Sequence, residues 1–280
     1  MDKGRRFLTC IFLLIIFIKP AVFPMGSRQL IPMKINPVIN IPDGELLHYG
    51  YYFGGEKNSD RYYVTEKITN GGKTLYRIYL DIIPFSGSKK LSDKYEEWPV
   101  SFTYDPALGS VIESTGDLKP DSEEKGSRGR SWHYKLNMDK GVVEETFQSV
   151  EKGKTNTARY IVRFNTSIPS IDMWGQIYMQ RFLDVRKGGI YYSVVPQGMK
   201  SPVPFSWKFL SSENIQTKAG NFRVERYDFI AADPFMGKLL EAYLKSAIYQ
   251  VEESNRHLTV RAGLAGGEIV LEGISNVKKQ

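Results

Sequence analysis

The sequence predicts a mainly β protein: a single long, strongly curved antiparallel sheet, a half-barrel or open barrel, with one or two short helices. Three observations predict it. Apolar and polar residues alternate over much of the chain, as in strands with one buried face. Glycine-containing turn signals separate the alternating segments at regular intervals. The chain has 280 residues, 41% hydrophobic and 13% aromatic, enough to bury a large core.

The N-terminus has the pattern of an export signal. Basic residues within the first six positions precede an uncharged apolar segment, 7–18. Such a segment rises only about 18 Å as a helix, which is short of the roughly 30 Å hydrocarbon core of a membrane. We therefore expect a signal peptide in residues 1–26, with an uncleaved anchor as the alternative, and export to the periplasm or cell envelope. Residues 27–43 are expected to be extended, and residues 44–280 to form one β-rich domain.

Cysteine content and charge exclude several classes of function. The single cysteine, Cys10, lies inside the apolar segment, so the mature chain is expected to have no disulfide, no thiolate nucleophile and no cysteine metal ligand. The formal charge of +7 falls to +4 without residues 1–26. Basic and acidic residues are interspersed throughout the rest of the chain, so we expect no nucleic-acid partner.

Alternation is clearest in four segments: Tyr76–Ile82, Trp98–Tyr104, Trp132–Met138 and Ala158–Phe164. Turn signals lie at 70–72, 139–141, 151–153 and 265–267, so the segments are predicted to form hairpins of a meandering sheet. Between Glu113 and Arg130 the chain is rich in Gly, Ser, Lys, Glu and Asp. This stretch is predicted to be a mobile loop or a hairpin tip.

Two segments have helical rather than strand periodicity. Residues Ile171–Leu183 place apolar side chains near a helical repeat, which predicts a short amphipathic helix. In the second segment, Asp233 is a suitable N-cap and Pro234 fits the first helical position. Apolar residues then recur down one face as far as Ala247, so a helix is predicted over Pro234–Ala247.

The order of several short motifs resembles the exported bacterial family named domain of unknown function 3108. The motifs are G-E-L-L-H-Y at 44–49, Y-M-Q-R at 178–181 before a glycine turn at 187–189, T-K-A-G-N-F at 217–222 and a closing strand at 266–272. The insert at 113–130 departs from the family pattern by its length. The resemblance implies a curved antiparallel sheet with helices at its mouth, similar to the lipoprotein carriers LolA and LolB.

No catalytic motif is present in the expected mature chain. Its three histidines, His48, His133 and His257, form neither HExxH nor HxH and have no helical spacing, so a zinc site lacks its usual ligand pattern. No G-x-S-x-G motif occurs. We therefore expect a non-enzymatic protein with no catalytic residue, no cofactor and no metal.

Two functions remain open. The first is binding of an apolar ligand, a lipid or lipid-modified molecule, on the concave face of the sheet. The ligand-lining candidates are Trp98, Phe102, Trp132 and Tyr134. Arg181, at the end of the Tyr-x-x-Arg element, is expected to be structural or to contact the ligand.

The alternative is an envelope structural or assembly factor that binds a protein partner through a sheet edge or loop, with no ligand pocket. The expected partners are thus a lipid or lipoprotein, or another envelope protein. The N-terminal segment offers a further contact with the membrane.

Overall fold

A computed structural model describes residues 31–36, 41–84, 91–92, 94–118, 129–137, 140–151, 154–163, 165–172, 174–194, 203–232, 248–254, 256–264 and 267–277. The expected signal peptide and the helix predicted over Pro234–Ala247 lie outside these residues. The described strands are β1 (Glu45–Phe53), β2 (Glu56–Asn70), β3 (Lys73–Pro84), β4 (Val100–Asp105), β5 (Ser110–Leu118), β6 (Gly129–Asn137), β7 (Val142–Glu151), β8 (Lys154–Arg163), β9 (Ser170–Asp172), β10 (Ile190–Val194), β11 (Val203–Thr217), β12 (Gly220–Ala231), β13 (Ile248–Glu252), β14 (Thr259–Leu264) and β15 (Gly267–Asn276).

All of these strands belong to one sheet of 15 strands, in the order β8-β7-β6-β5-β4-β3-β2-β1-β15-β14-β13-β12-β11-β10-β9. Sequential strands are therefore neighbours, except for β8 and β9, which form the two edges, and the pairing of β1 with β15 joins the two halves. The sheet is not closed into a barrel, which confirms the predicted fold class. It is mixed rather than purely antiparallel, because β9 pairs with β10 in parallel.

The curvature of the sheet brings distant strands together. The backbone N–H of Ser170 in edge strand β9 donates to Oγ of Ser110 in β5, at 3.0 Å. One large cluster of buried side chains draws on both halves of the sheet, from Val162 in β8 to Phe205 in β11. We call the face that carries this main cluster the concave face, and the opposite one the outer face.

Most of the predicted strands are confirmed. β3 covers one of the four alternating segments, and β6 and β8 cover two more except for their last residues, 138 and 164, which lie outside the described residues. A hairpin turn at Gly71 and Gly72, both with positive φ, joins β2 to β3. The fourth segment begins later than predicted, because a 3-10 helix, Tyr95–Glu97, ends at Trp98. Strand β4 starts at Val100.

The helix predicted over Ile171–Leu183 is only partly correct. Ile171 lies in β9 and is fully buried, since pairing with β10 extends the chain there. A single α-helical turn, α1 (Gln176–Met179), follows and continues as the 3-10 helix Gln180–Phe182. Leu183 then forms a β-bridge with Ile35, so the backbone has already left the helix. Among the described residues, no helix is both long enough and apolar enough to cross a membrane.

The loop predicted between Glu113 and Arg130 is shorter than expected. Residues Glu113–Leu118 continue β5 and pair with β6, so only 119–128, which lie outside the described residues, connect the two strands. Space on the inward side of this segment is limited at one position, because a Cβ added to Gly116 would lie 2.2 Å from the indole of Trp132. Pairing with both β4 and β6 therefore makes this polar segment a strand.

Candidate functional site

Arg181 lies in the interior at the start of β1, with a side chain only 1% exposed. Both of its terminal nitrogens donate to the Glu45 carboxylate, and Nε donates to the backbone oxygen of Arg256 at 2.9 Å. Burial disfavours the charged guanidinium, but Tyr178 and Glu45 outweigh this and raise the pKa of Arg181. Each of the three guanidinium nitrogens thus donates at least one hydrogen bond within the protein, and these contacts favour the structural role.

Three of the four predicted lining residues meet on the concave face. Phe102, Trp132 and Tyr134 belong to the main cluster and are 1%, 3% and 1% exposed. The Trp132 ring stacks on Trp174, with centroids 6.0 Å apart. A ligand could reach these three side chains only by displacing packed neighbours.

Trp98, the fourth candidate, lies apart from the others. It packs with Val64, Tyr79 and Tyr95 in a second cluster on the outer face. The 3-10 helix before β4 interrupts the alternation that would have aligned Trp98 with Phe102. Its indole N–H donates to the backbone oxygen of Ser92, at 3.1 Å.

The concave face opens along β1. Leu47 and Tyr49 are fully buried, whereas Tyr51 is half-buried and packs against the edge of the main cluster. On the adjacent strands, Arg61 and Ile82 are also half-buried. Arg61 in β2 is paired with Tyr49 in β1 and with Ile82 in β3. Paired residues of neighbouring strands point to the same face, as do residues two apart in one strand, so these side chains and that of Tyr51 all lie on the concave face. We call Tyr51, Arg61 and Ile82 the β1–β3 shelf.

Several buried polar atoms of the interior have no hydrogen-bond partner among the described residues. They include the hydroxyl oxygens of Tyr49 and Tyr104 and both amide atoms of Gln180, which is 1% exposed. Buried polar groups are nearly always hydrogen-bonded to protein or to ordered water, and polar groups within an apolar wall are typical of ligand sites. The interior therefore has capacity for further hydrogen bonds.

A polar network on the outer face was missed by sequence reasoning. His48, Asp60 and Glu272 place one ligand atom each within 4.8 Å of one another, a spacing that could hold a metal ion. However, Nζ of Lys57 is 2.5 Å from Asp60 and 2.7 Å from Glu272, and Nζ of Lys218 is 2.7 Å from Glu272. A divalent cation would have to displace both ammonium groups, so we interpret the cluster as an ion-pair network.

No sequence signal marks this network. His48 and Asp60 come from neighbouring strands, and Glu272 comes from β15, which pairs with β1 although it lies near the other end of the chain. Only the strand pairing brings the three side chains together. The ring of Tyr62 stacks on His48, with centroids 4.5 Å apart, and fixes the imidazole plane.

Glu272 is expected to make folding stability sensitive to acid. Burial opposes its charged form, but hydrogen bonds from Lys218, Lys57 and Tyr52 lower its pKa from 4.5 to about 2. A carboxylate with a lowered pKa contributes fully above its unfolded value, and this contribution is lost as the pH falls from 4.5 to about 2. Glu272→Gln should lower the free energy of unfolding by about 1 to 3 kcal/mol at pH 7 and flatten the pH dependence.

Urea unfolding between pH 7 and pH 3 measures this effect. Glu268, on the same strand but with a side chain 47% exposed, offers the matched control, Glu268→Gln. A Glu272→Gln variant as stable and as acid-sensitive as the wild type would show that the network contributes nothing.

A cleft of about 480 Å³ opens on the outer face over β3, β4 and β5. Its lining combines the aromatic residues Tyr79 and Phe102 with charged and hydroxyl-bearing residues, among them Arg77, Ser101, Thr103, Glu113 and Thr115. Opposite charges and hydroxyl groups at this density do not suit an apolar ligand. This cleft is therefore a poorer match to the predicted ligand class than the concave face.

Strand β8 forms one edge of the described sheet. Most of its residues are exposed, and Ile161 is 72% exposed on it. Lys154, Arg159 and Arg163 give the strand three positive charges, and it has no acidic residue. Edge lysines and arginines oppose unwanted pairing with other strands, but they also favour an acidic partner.

Comparison with known proteins identifies no family for the chain: no family model matches it, and no curated protein matches it. The chain is similar to several solved structures, among them the following three. A predicted exported protein with a YmcC-like fold from Bacteroides fragilis is 10% identical over 88% of this chain and 99% of that one, with a TM-score of 0.32. A predicted lipoprotein from Parabacteroides distasonis is 12% identical over 88% and 100%, with a TM-score of 0.33.

The third structure is a β-barrel-like protein of domain of unknown function 1849 from Brucella abortus. It is 9% identical over 89% of this chain and 99% of that one, with a TM-score of 0.36. These TM-scores and identities do not support the transfer of any function to this chain.

Proposed function

We propose that this is a non-enzymatic, exported cell-envelope protein that binds an apolar or amphipathic ligand, a lipid or lipid-modified molecule, at the open end of its concave face. The ligand's apolar part lies on the β1–β3 shelf. The fully packed side chains beyond the shelf, including Phe102, Trp132 and Tyr134, form the support of the site.

One observation carries this proposal: the concave face changes from sealed to half-exposed within two residues of β1. Tyr49 is fully buried, with a hydroxyl group that has no partner among the described residues, while Tyr51 and Ile82 keep part of their apolar surface in solvent. Ligand sites combine apolar walls with a few polar groups in this way. Covering the exposed part of the shelf with an acyl chain would remove apolar surface from water.

Export is the part of the proposal that depends on the N-terminal sequence. The basic start and the apolar segment 7–18 support a signal peptide, and the motif order supports relationship to the domain of unknown function 3108 family. Alkaline phosphatase fused after residue 40 should be active, because the enzyme needs an oxidising compartment. An inactive fusion, combined with an active cytoplasmic reporter at the same position, would contradict export.

The ligand site is tested with N-phenyl-1-naphthylamine, a neutral probe that fluoresces in apolar surroundings. Wild-type protein should bind it saturably, and Ile82→Asp should weaken binding by about tenfold or more, because a charge then enters the apolar contact. The control is Ile161→Asp on edge strand β8, which should bind like the wild type. Equal binding by both variants, or no saturable binding at all, would contradict a site on the shelf.

A second candidate function, assembly with an acidic envelope protein, is favoured by edge strand β8. Its edge, unpaired in the described sheet, and its three positive charges suit an extended acidic segment that would add to the sheet as a further strand. A photo-crosslinking residue at Ile161 should then give one discrete adduct in the envelope. The same residue at Ile230, which is 39% exposed on another hairpin, should not. Identical patterns at both sites would count against edge binding.

A further inference from the structure

We propose that Arg61 binds the acidic headgroup of the ligand, so that the site selects acyl compounds ending in a carboxylate or phosphate over neutral ones. This inference rests on the proposed ligand site on the β1–β3 shelf. It adds the chemical class of the headgroup and the residue that recognises it.

The position of Arg61 suits a headgroup. Its guanidinium carbon lies 5.0 Å from the centre of the Tyr51 ring, so the aromatic face holds it on the shelf. Its neighbour on β1 is the fully buried Tyr49, and its neighbour on β3 is Ile82, which belongs to the half-exposed apolar surface. A cation at this boundary can bind a charged group while the attached chain stays on apolar side chains.

The charge of Arg61 is not neutralised within the described part of the chain. Its Nε is buried and has no hydrogen-bond partner, and no carboxylate of the described residues forms an ion pair with it. The adjacent Asp60 is on the outer face, where His48 and Lys57 bind it. A buried donor on a charged group is costly to leave unpaired, and a ligand oxygen would satisfy it.

Comparison with the other interior arginine supports this assignment. Arg181 donates hydrogen bonds to the Glu45 carboxylate and to the backbone oxygen of Arg256, so it has little capacity to bind a ligand as well. Arg61 has the same chemistry, but its guanidinium lies over the Tyr51 ring and its Nε has no hydrogen-bond partner among the described residues. Of these two guanidinium groups, Arg61 is therefore the one available to fork onto a carboxylate or phosphate.

The field of Arg61 also reaches the groups that surround the shelf. Burial raises the pKa of the Tyr51 hydroxyl, and the Arg61 charge partly offsets that rise. Burial likewise raises the pKa of Tyr249, and Tyr63 adds to the rise while Arg61 opposes it. The positive charge thus acts within an aromatic surrounding, where an anion gains more from it than in bulk water.

The experiment measures displacement of bound N-phenyl-1-naphthylamine by dodecanoate, dodecyl phosphate and dodecanol, which share one chain length. In the wild type, the two anions should displace the probe at concentrations about tenfold or more below that of dodecanol. Arg61→Gln should remove this preference and leave displacement by dodecanol unchanged. Arg61→Lys, which keeps the charge, should retain part of the preference. The control is Arg159→Gln on β8.

Each outcome bears on one claim. Unchanged probe binding by Arg61→Gln shows that the shelf is intact, so a selective loss of anion displacement supports the proposal. Equal displacement by anions and alcohol in the wild type, or an anion preference that survives Arg61→Gln, overturns it while the ligand site stands. Absence of probe binding by the wild type defeats the proposed function itself. A preference for only one of the two anions identifies the headgroup as carboxylate or phosphate.

Discussion

Replacing Glu45 by glutamine will lower the free energy of unfolding by about 3 to 5 kcal/mol, because it leaves the guanidinium of Arg181 charged and buried without its counter-ion. The carboxylate is the only acidic group bonded to Arg181 among the described residues, and both side chains are less than 5% exposed. Urea unfolding at pH 7 measures the change. Adding Arg181→Met should recover part of the loss, since the double variant buries no unpaired charge.

An exposed ion pair gives the matched control. Arg223 and Glu253 lie 2.8 Å apart, with side chains 68% and 28% exposed. Glu253→Gln should cost less than about 1 kcal/mol, because water already screens this pair. Similar losses at Glu45 and Glu253 would mean that the interior pair is solvated in the folded protein. The structural role assigned to Arg181 would then be wrong.

Replacing Phe102 by alanine will cost about 3 to 5 kcal/mol, because the ring is 1% exposed and lies within the main cluster. Phe209, which is 45% exposed in β11, is the matched control, and Phe209→Ala should cost less than about 1 kcal/mol. Thermal melts of the two variants measure the difference.

A small effect of Phe102→Ala would be informative in a different way. It would mean that the ring lies in a solvated pocket, an arrangement that is also compatible with the alternation of the sequence. The ligand site would then lie in the interior rather than on the shelf. A large effect agrees with a filled interior, in which a ligand contacts only the open end of the concave face.

Local patterns predicted most of the fold because strand alternation and hairpin turns are short-range signals. The glycines at 71 and 72 marked a real turn, and the alternation of 132–138 marked β6. Prediction failed where distant contacts decide the structure. Ile171 became a strand residue because β10 was available to pair with it, and the polar stretch 113–118 became a strand because it pairs with both β4 and β6.

The site was less predictable than the fold. Alternation placed Phe102, Trp132 and Tyr134 on one face but could not show that they are sealed. The functional interest of Arg61 depends on which groups surround it, namely Tyr51 beneath it and Asp60 turned to the opposite face. The sequence motif made Arg181 a candidate for ligand contact, although each of its guanidinium nitrogens is hydrogen-bonded within the protein. A motif does not reveal which groups lie next to its residues in the fold.

Mass spectrometry of compounds extracted from the protein after detergent-free purification from its native envelope tests the central claim most directly. We expect a near-stoichiometric acyl compound with an acidic headgroup in the wild type, strongly reduced in Ile82→Asp and unchanged in Ile161→Asp. A protein that carries no acyl compound above the level found in Ile82→Asp would contradict a ligand site on the concave face.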